Sequence, residues 1–270
     1  MNPHINTAVK LVRRVGTMML RFSNDLSTIH VENKAFNDYV SEVDRMAEEM
    51  IVEGLLEVFP SHRIRTEETG FHGSKNSAYE WIVDPLDGTT NYLHQHPQYA
   101  ISLALTHKGK LIDAVVFSPE RNDLYIASRG KGAFLNDKRI RVSKRSKLQE
   151  CLIATGFPVV DQTKMKDYLS VLREVLGLTA GVRREGAASL DLCNVAAGRF
   201  DGYFEFNLQP WDIAAGALIV MESGGIVTDT QGEGEWLQSG NIVAGNPKVL
   251  AQLLHILSKQ APTRHTASLQ

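Results

Sequence analysis

Residues 81–92 read WIVDPLDGTTNY, and the rest of the chain is organised around them. The apolar run at residues 81–83 predicts a strand that leads into two carboxylates, Asp84 and Asp87. Gly88 follows at once and lets the backbone turn closely around a ligand. The stretch therefore predicts a metal site with an anion pocket beside it.

Composition excludes several broad classes of protein. The chain has 270 residues, of which 43% are hydrophobic and 22% charged, as expected for a globular protein. Lys and Arg number 29 against 31 Asp and Glu, so overall charge gives no reason to expect binding to nucleic acid or an anionic membrane. No apolar run is long enough to span a membrane and no signal peptide is evident, so a cytoplasmic location is expected. Cys151 and Cys193 lack metal-binding spacing and are predicted to be small buried side chains.

The first half of the chain predicts an α+β arrangement. Apolar residues at helical spacing predict helices over residues 5–22 and 43–58, with Ser41 as a cap for the second. A short strand over residues 64–66 then leads to the adjacent carboxylates Glu67 and Glu68. These point to opposite sides of a strand, and spacing alone does not decide which one faces a site.

The large sheet is predicted from the next stretch and a second sheet from the region after it. Apolar runs separated by short turns over residues 98–142 predict an antiparallel meander. Beyond residue 148 strands and helices alternate, which predicts an α/β region. Residues 1–147 and 148–270 are thus expected to be two halves of one compact unit, with a frayed polar tail at residues 261–270. Predicted helices of the second half lie at residues 165–176, 188–197, 212–222 and 247–258, and strands at 152–155, near 182, at 200–206, and near 226 and 242.

The acidic cluster is the one constellation with reactive character. Signatures of serine hydrolases, P-loop nucleotidases, dinucleotide enzymes and zincins are missing from the sequence. Mg²⁺ prefers oxygen ligands, which Asp84, Asp87 and the Leu86 carbonyl could supply, with Glu67 or Glu68 adding another. The same residues are also good turn formers, and Asp44 alone is explained by a helix dipole.

Several separated motifs together resemble the inositol monophosphatase family of Mg²⁺-dependent, lithium-sensitive phosphatases. They are Glu67-Glu68, residues 81–92, Trp211-Asp212, and the ESGG run at residues 222–225. Within the family, residues 154–158, 183–186 and 240–247 are most similar to its bacterial SuhB branch. The resemblance covers nearly the whole chain and implies a layered αβαβα sandwich, with a mainly antiparallel N-terminal sheet and a smaller mixed C-terminal sheet.

The resemblance assigns metal ligands that spacing alone leaves open. It implies that Glu67, rather than Glu68, binds metal and that Asp84 bridges two ions. The Leu86 carbonyl would bind one ion, while Asp87 and Asp212 bind the other. Two or three Mg²⁺ ions are expected for each site.

Catalytic and substrate-binding roles follow from the same resemblance. It implies that Thr89 orients the attacking water, that Asp44 is hydrogen-bonded to Thr89, and that Glu67 shares in the catalytic step. Gly88 and Thr89 would hold phosphate, and Glu205 would meet a hydroxyl of the alcohol. The full set of implied substrate contacts is Leu86, Asp87, Gly88, Thr89, Gly186, Ala187, Ala188, Glu205 and Asp212.

Two positions depart from the family pattern. The usual Thr or Ser after Gly186 is Ala187 here, so a hydroxyl contact to substrate is missing or moved two positions to Ser189. Gln209 stands where SuhB-like chains often carry Arg. The first departure leaves the exact substrate open.

The expected activity is Mg²⁺-dependent hydrolysis of inositol 1-phosphate or a similar small polyol phosphate by a metal-activated water. Fructose 1,6-bisphosphate, 3′-phosphoadenosine 5′-phosphate and histidinol phosphate are alternative substrates for the same fold. A different alternative is transcription antitermination through contacts with RNA polymerase or Nus factors. A homodimer with no membrane partner is also expected, and Arg183 and Arg184 are candidates for an interface.

Overall fold

The computed structural model describes residues 2–23, 31–35, 38–157 and 162–258. The predicted cap at Ser41 concerns a side chain outside this description, and the predicted tail at residues 261–270 lies outside it too. The described helices are α1 (Pro3–Phe22), α2 (Glu42–Val58), α3 (Thr89–Leu93), α4 (Met165–Leu178), α5 (Ala188–Ala196), α6 (Pro210–Glu222), α7 (Trp236–Ser239) and α8 (Pro247–Ser258). The described strands are β1 (Val31–Ala35), β2 (Asp38–Ser41), β3 (Arg63–Thr66), β4 (Phe71–Gly73), β5 (Tyr79–Asp87), β6 (Ala100–His107), β7 (Lys110–Ser118), β8 (Asp123–Ser128), β9 (Gly132–Leu135), β10 (Lys138–Arg139), β11 (Leu152–Thr155), β12 (Gly181–Arg183), β13 (Gly202–Glu205), β14 (Ile226–Thr228) and β15 (Ile242–Gly245).

The larger sheet has, among the described residues, eight strands in the order β10-β9-β8-β7-β6-β5-β3-β4. Neighbouring strands are antiparallel except β3 and β5, which run parallel. The predicted meander and the mainly antiparallel N-terminal sheet are therefore confirmed. The parallel pair matters most for function, because the ends of β3 and β5 then lie at the same edge of the sheet.

A bulge interrupts β5 at the acidic loop. Asp84 pairs with Ser102 of β6, but Asp87 pairs with Ala100, so β5 holds one residue more than its partner over this stretch. Pro85 has no N–H to donate to the sheet, and bulges are where strands accommodate proline. The bulge leaves the backbone of Pro85 and Leu86 out of regular pairing with β6.

The smaller sheet is mixed, as predicted. Its described strands follow the order β12-β11-β13-β15-β14. Strand β11 runs parallel to β12 and β13, while β15 is antiparallel to β13 and β14. Glu205 is the last residue of β13, and Asp212 lies in the first turn of α6.

Alternating side chains divide the described apolar residues into three cores. On β5, Trp81 and Val83 pack toward α1 and α2, whereas Ile82 packs on the opposite face with α5 and α6. On β13, Tyr203 joins this central core, while Phe204 packs in a third core with α4 and α8. This alternation is expected for strands buried on both faces. The layer order is αβαβα, which confirms the predicted fold class.

Helices α5 and α6 form the middle layer and approach each other closely. Gly216 of α6 faces Leu192 of α5, and a Cβ added at Gly216 would lie 2.7 Å from the Leu192 Cβ. Every residue of α5 is buried, as are residues 213–220 of α6. Small residues are what allow two such helices to pack between two sheets.

A few short elements differ from the predictions. Strand β4 was not predicted, and the predicted strand over residues 200–206 is shortened to β13. The β1–β2 pair, α3 and α7 were not predicted as elements, because four or five residues carry too little periodicity to identify. Cys151 and Cys193 are free and buried, as predicted. Within the described ranges no helix is both long and apolar enough to cross a membrane.

Candidate metal and phosphate site

Sheet topology places Glu67 beside the acidic loop. In the parallel β3–β5 pair, Thr66 is in register with Val83, so the next residues along the two strands are Glu67 and Asp84. Glu67 is half-buried, whereas Asp84 is only 2% exposed. The charge of Glu67 acts on Asp84 and on Asp212, and this supports Glu67 as the member of the Glu67–Glu68 pair that faces the site.

The bulge at the end of β5 orients the backbone of the acidic loop. Oδ1 of Asp84 accepts a hydrogen bond from the Leu86 N–H at 3.0 Å. The Leu86 carbonyl oxygen lies 3.1 Å from the Thr89 hydroxyl, whose single proton it shares with Asp44 as a second acceptor, and a carbonyl has a further lone pair for an ion. The loop thus presents carboxylate and carbonyl oxygens together, although Leu86 itself is 1% exposed.

Asp87 is held by the second half of the chain. Its Oδ2 accepts hydrogen bonds from both the N–H of Ser189, at 2.8 Å, and the Ser189 hydroxyl. Ser189 lies in the first turn of α5, where unpaired amides favour a carboxylate. The hydroxyl that is displaced by two positions from the family pattern therefore contacts a predicted metal ligand.

Asp212 lies in the first turn of α6. Its Oδ2 accepts the Gln209 N–H at 2.7 Å, and the Gln209 side chain in turn accepts the Asp212 N–H. This reciprocal cap fixes the start of α6 and so the position of Asp212. Gln209, the second departure from the family pattern, is thus a helix cap in this chain.

Burial and mutual repulsion govern the protonation of these carboxylates. Burial first, and then the charges of Glu67, Asp87 and Asp212, raise the pKa of Asp84 well above its usual range. Burial and the charge of Asp87 do the same for the pKa of Asp212. Burial raises the pKa of Asp87 to about 6, against the opposing effect of the Ser189 hydrogen bonds.

Such a cluster fits hard divalent cations. Carboxylates and a carbonyl are the ligands that Mg²⁺ prefers, and a cation removes the repulsion between them. Across the part of the chain that the structure describes, no group of three or more His, Cys, Asp or Glu side chains is already arranged to hold an ion. The charges of Glu67 and Asp87 nonetheless act on both Asp84 and Asp212, so these carboxylates are near enough to repel one another.

Thr89 and Asp44 meet beside the carboxylates. The Thr89 hydroxyl donates to Oδ1 of Asp44 at 2.9 Å, and Asp44 is 1% exposed in the first turn of α2. Thr89 is the first residue of α3, whose N-cap is Gly88. The contact that the resemblance implies between Asp44 and Thr89 is present.

The two halves of the chain touch at Gly88. Its φ is +94°, and a Cβ there would lie 3.0 Å from the Gln98 carbonyl oxygen and 3.3 Å from that of Gly186. The side-chain amide of Asn91 donates to the carbonyls of Gln98, at 2.7 Å, and Glu185, at 2.8 Å. Asn91 thereby ties α3 to the segment that carries Gly186, Ala187 and Ala188.

Glu205 lies at the end of β13, near Gly156. The Tyr203 hydroxyl donates to its Oε2, and burial raises the pKa of Glu205 to about 7. A Cβ at Gly156 would collide with the Glu205 carboxylate. The charge of Asp87 acts on Glu205, so the predicted alcohol contact lies on the same side of the molecule as the acidic loop.

The contacts of two residues near the site, Glu48 and Arg184, were not predicted from the sequence. Glu48 is 2% exposed on α2 and accepts hydrogen bonds from the Glu68 and Thr69 backbone. Its position one helical turn after Asp44 was the available signal. Arg184, offered as an interface residue, is exposed, with its guanidinium carbon 5.4 Å from the centre of the Phe157 ring.

The αβαβα sandwich and the acidic cluster at its sheet edge define a phosphatase fold. Residues 1–263 match the inositol monophosphatase family, and the chain belongs to that family. The family comprises metal-dependent phosphatases that generally use Mg²⁺. The predicted resemblance is therefore confirmed.

Similar proteins carry two kinds of name. A SuhB protein of Neisseria meningitidis serogroup B is 65% identical over 258 residues, covering 96% of this chain and 99% of its own. An inositol-1-monophosphatase of Rhizobium meliloti is 44% identical over 260 residues, covering 96% and 98%. Among solved structures, the extragenic suppressor protein SuhB of Bartonella henselae aligns with a TM-score of 0.93 at 42% identity, covering 96% of this chain and 99% of that one.

Proposed function

We propose that this protein is a Mg²⁺-dependent phosphomonoesterase that hydrolyses inositol 1-phosphate or a similar small polyol phosphate. The observation that carries the proposal is the placement of Glu67 beside Asp84 at the ends of β3 and β5, where the charges of Glu67, Asp84, Asp87 and Asp212 act on one another. The adjoining Thr89–Asp44 hydrogen bond supplies the positioning group that hydrolysis needs. Membership of a phosphatase family supports the reaction class.

The chain offers oxygen ligands for two or three Mg²⁺ ions. They are Glu67, Asp84, the Leu86 carbonyl, Asp87 and Asp212. Bound in pairs, such ions lower the pKa of water and stabilise charge on the leaving ester oxygen. Phosphate monoesters hydrolyse extremely slowly without help of this kind.

The protein residues position the reactants. The Thr89 hydroxyl donates a hydrogen bond toward Asp44 and the Leu86 carbonyl, so its oxygen is left to accept a hydrogen bond from water and orient it toward phosphorus. Glu67 shares this water as an acceptor. The amides of Gly88 and Thr89 lie at the start of α3, where N–H groups lack intrahelical partners and suit phosphate oxygens. Attack by water in a single step needs no covalent intermediate.

The alcohol part of the substrate meets the second half of the chain. Glu205 accepts a hydrogen bond from a substrate hydroxyl, and the backbone of residues 186–188 borders the same space. A carboxylate here favours a polyol over an alcohol that bears another phosphate, because two anions would repel. This selectivity distinguishes inositol 1-phosphate from fructose 1,6-bisphosphate and 3′-phosphoadenosine 5′-phosphate.

A substrate panel tests the proposal. Phosphate release is measured for inositol 1-phosphate, fructose 1,6-bisphosphate, 3′-phosphoadenosine 5′-phosphate and histidinol phosphate, with Mg²⁺ and with EDTA. We expect inositol 1-phosphate to give the highest kcat/KM and EDTA to abolish release. In Asp87→Asn, kcat/KM should fall at least about 100-fold, whereas Asp137→Asn, an exposed control, should match wild type. Activity retained in EDTA or in Asp87→Asn would exclude the metal assignment, and preference for another substrate would exclude the polyol assignment.

A second candidate function is transcription antitermination by protein binding. The observation that favours it is the name Nus factor SuhB borne by relatives such as those of Pseudomonas aeruginosa, 48% identical, and Escherichia coli, 41% identical. In this proposal the protein acts in the cytoplasm through RNA polymerase or Nus factors. Asp87→Asn, folded and abundant, should then complement a deletion strain. Failure to complement would instead assign the cellular role to catalysis.

We also propose that the protein is a homodimer. Leu169 and Leu176 of α4 are 52% and 50% exposed, and Phe157 is 40% exposed. The two leucines are seven positions apart and so lie on one helix face. Light scattering should give twice the chain mass for wild type and a lower mass for the double change Leu169→Ser and Leu176→Ser. A monomeric wild type, or an unaffected double variant, would contradict this interface.

A further inference from the structure

Glu48 makes a set of contacts that neither the metal ligands nor the Thr89–Asp44 pair explains. It lies on α2 with only 2% of its surface exposed. Its Oε2 accepts the Glu68 N–H at 2.8 Å, and its Oε1 accepts the Thr69 N–H at 2.9 Å. The Thr69 hydroxyl donates to Oε1 as well. A buried carboxylate thus binds the turn that follows β3.

These contacts fix the turn that presents Glu67. Charge-assisted hydrogen bonds from two consecutive amides hold a backbone more rigidly than neutral ones. Thr69 is also tied to His72 of β4, whose Nε2 lies 2.6 Å from the Thr69 hydroxyl. Glu67 immediately precedes the two fixed amides, so its backbone has little freedom to move away from Asp84.

Helix α2 therefore contacts both of the segments that follow β3 and β5. Asp44 and Glu48 are four positions apart and lie on the same face of the helix. Asp44 binds Thr89 after β5, and Glu48 binds the turn after β3. The spacing of these two side chains is set by the helix itself.

We propose that Glu48 is a positioning residue that sets the location of Glu67 and so raises the affinity of the site for Mg²⁺. The role rests on the proposed function, because it assigns Glu67 to a metal ion. Glu48 contacts neither the reacting phosphate nor the ligand set. Changes to residues that orient metal ligands typically weaken metal affinity by about 10–100-fold.

Glu48→Gln tests the proposal in the whole protein, with Glu49→Gln as the matched control, since Glu49 is exposed on the same helix. Gln keeps the shape but turns a donor toward one of the two amides. Amide hydrogen exchange is measured at residues 68 and 69 in EDTA, and Mg²⁺ binding is measured by calorimetry. We expect exchange at both amides to rise at least about tenfold and Mg²⁺ affinity to fall about tenfold. At saturating Mg²⁺, kcat should stay within about threefold of wild type.

Several outcomes would overturn this role. Unchanged exchange at residues 68 and 69, or Mg²⁺ affinity equal to that of Glu49→Gln, would do so while leaving the proposed function intact. Lack of Mg²⁺ binding by wild type would overturn the proposed function, and the role with it. If Glu48→Gln fails to fold, Thr69→Val replaces it, because it removes the Thr69 hydroxyl, with its contacts to Glu48 and His72, and keeps both backbone amides. Weaker Mg²⁺ binding in Thr69→Val and its recovery in Thr69→Ser would support the proposal, and wild-type binding in Thr69→Val would contradict it.

Discussion

The hydroxyl of Thr89 lies 2.9 Å from Oδ1 of Asp44, a residue 45 positions earlier in the chain. This hydrogen bond joins the first turn of α2 to the first residue of α3, directly beside the acidic loop. It orients the hydroxyl proton away from the space in which water would approach a phosphate. Asp44 is therefore stabilised by the Thr89 hydroxyl as well as by the dipole of α2.

Thr89→Val should reduce kcat by about 100- to 1000-fold with little effect on KM, because the hydroxyl acts on the attacking water rather than on bound substrate. Steady-state phosphate release at saturating Mg²⁺ measures both constants. Thr90→Val is the control, since Thr90 is the exposed neighbour and should behave as wild type. A Thr89→Val enzyme with normal kcat would show that the hydroxyl has no part in the reaction.

Gly156→Ala should weaken substrate binding, because the added methyl group collides with the Glu205 carboxylate and displaces it. We expect KM for inositol 1-phosphate to rise about tenfold, as for loss of one charge-assisted hydrogen bond, with little change for p-nitrophenyl phosphate, which lacks the hydroxyl. Gly177→Ala is the control, since open space surrounds Gly177 in α4. Equal effects on both substrates would indicate a general distortion instead of a lost alcohol contact.

Ser189→Ala should destabilise the metal-free protein by about 1 kcal/mol through loss of the hydroxyl bond to Asp87. The Ser189 bonds lower the pKa of Asp87, so the change should raise that pKa further. Urea unfolding in EDTA gives the free energy difference, with Ser170→Ala on the exposed face of α4 as the control. Unaltered stability would mean that the backbone N–H alone holds Asp87.

Asp84→Asn should stabilise the metal-free protein increasingly as pH rises. Burial, then the charge of Glu67, raises the pKa of Asp84 well above the ordinary 3.8, so the native state keeps a proton that the unfolded chain has lost. The contribution of Asp84 to stability is therefore complete at low pH and is lost as pH rises through its folded pKa. Asn does not ionise and escapes this loss.

Thermal unfolding in EDTA between about pH 5 and pH 8 measures this effect. The Tm of Asp84→Asn minus that of wild type should grow with pH by several degrees, at about 2–4 °C per kcal/mol. With added Mg²⁺, wild type should have the higher Tm, because it then binds an ion through Asp84 and the Asn variant does not. Asp137→Asn should show a flat difference throughout. A difference that is constant or shrinks with pH in Asp84→Asn would contradict the predicted protonation.

Long, periodic elements and motif residues could be read from the sequence. Helices α1, α2, α4 and α8 follow the helical period, and the acidic loop is recognisable as a motif. What escaped prediction depends on contacts between distant residues. The partnership of Asp87 with Ser189 spans 102 positions and that of Glu48 with Thr69 spans 21, and no local pattern encodes either one.

The parallel pairing of β3 with β5 explains why the choice between Glu67 and Glu68 could not be predicted from the residues alone. Side chains alternate along a strand, so the sequence shows that Glu67 and Glu68 point in opposite directions. It does not show which strand pairs with β3, and so it does not show which of the two faces Asp84. In the structure Thr66 of β3 is in register with Val83 of β5, and Glu67 and Asp84 are the residues that follow them. Short elements such as β4 and α3 form because tertiary contacts hold them, so their own composition says little.

The close packing of Gly216 against Leu192 has a consequence for how this protein can evolve. Asp212 stands at the start of α6 and Ser189, the partner of Asp87, at the start of α5, so the separation of the two helices affects the separation of two predicted metal ligands, Asp212 and Asp87. A methyl group gained in the interior would widen that separation without altering any ligand. Substitutions that change side-chain volume between α5 and α6 could therefore alter which ion the protein prefers. Such positions lie outside the set of predicted catalytic and metal-binding residues.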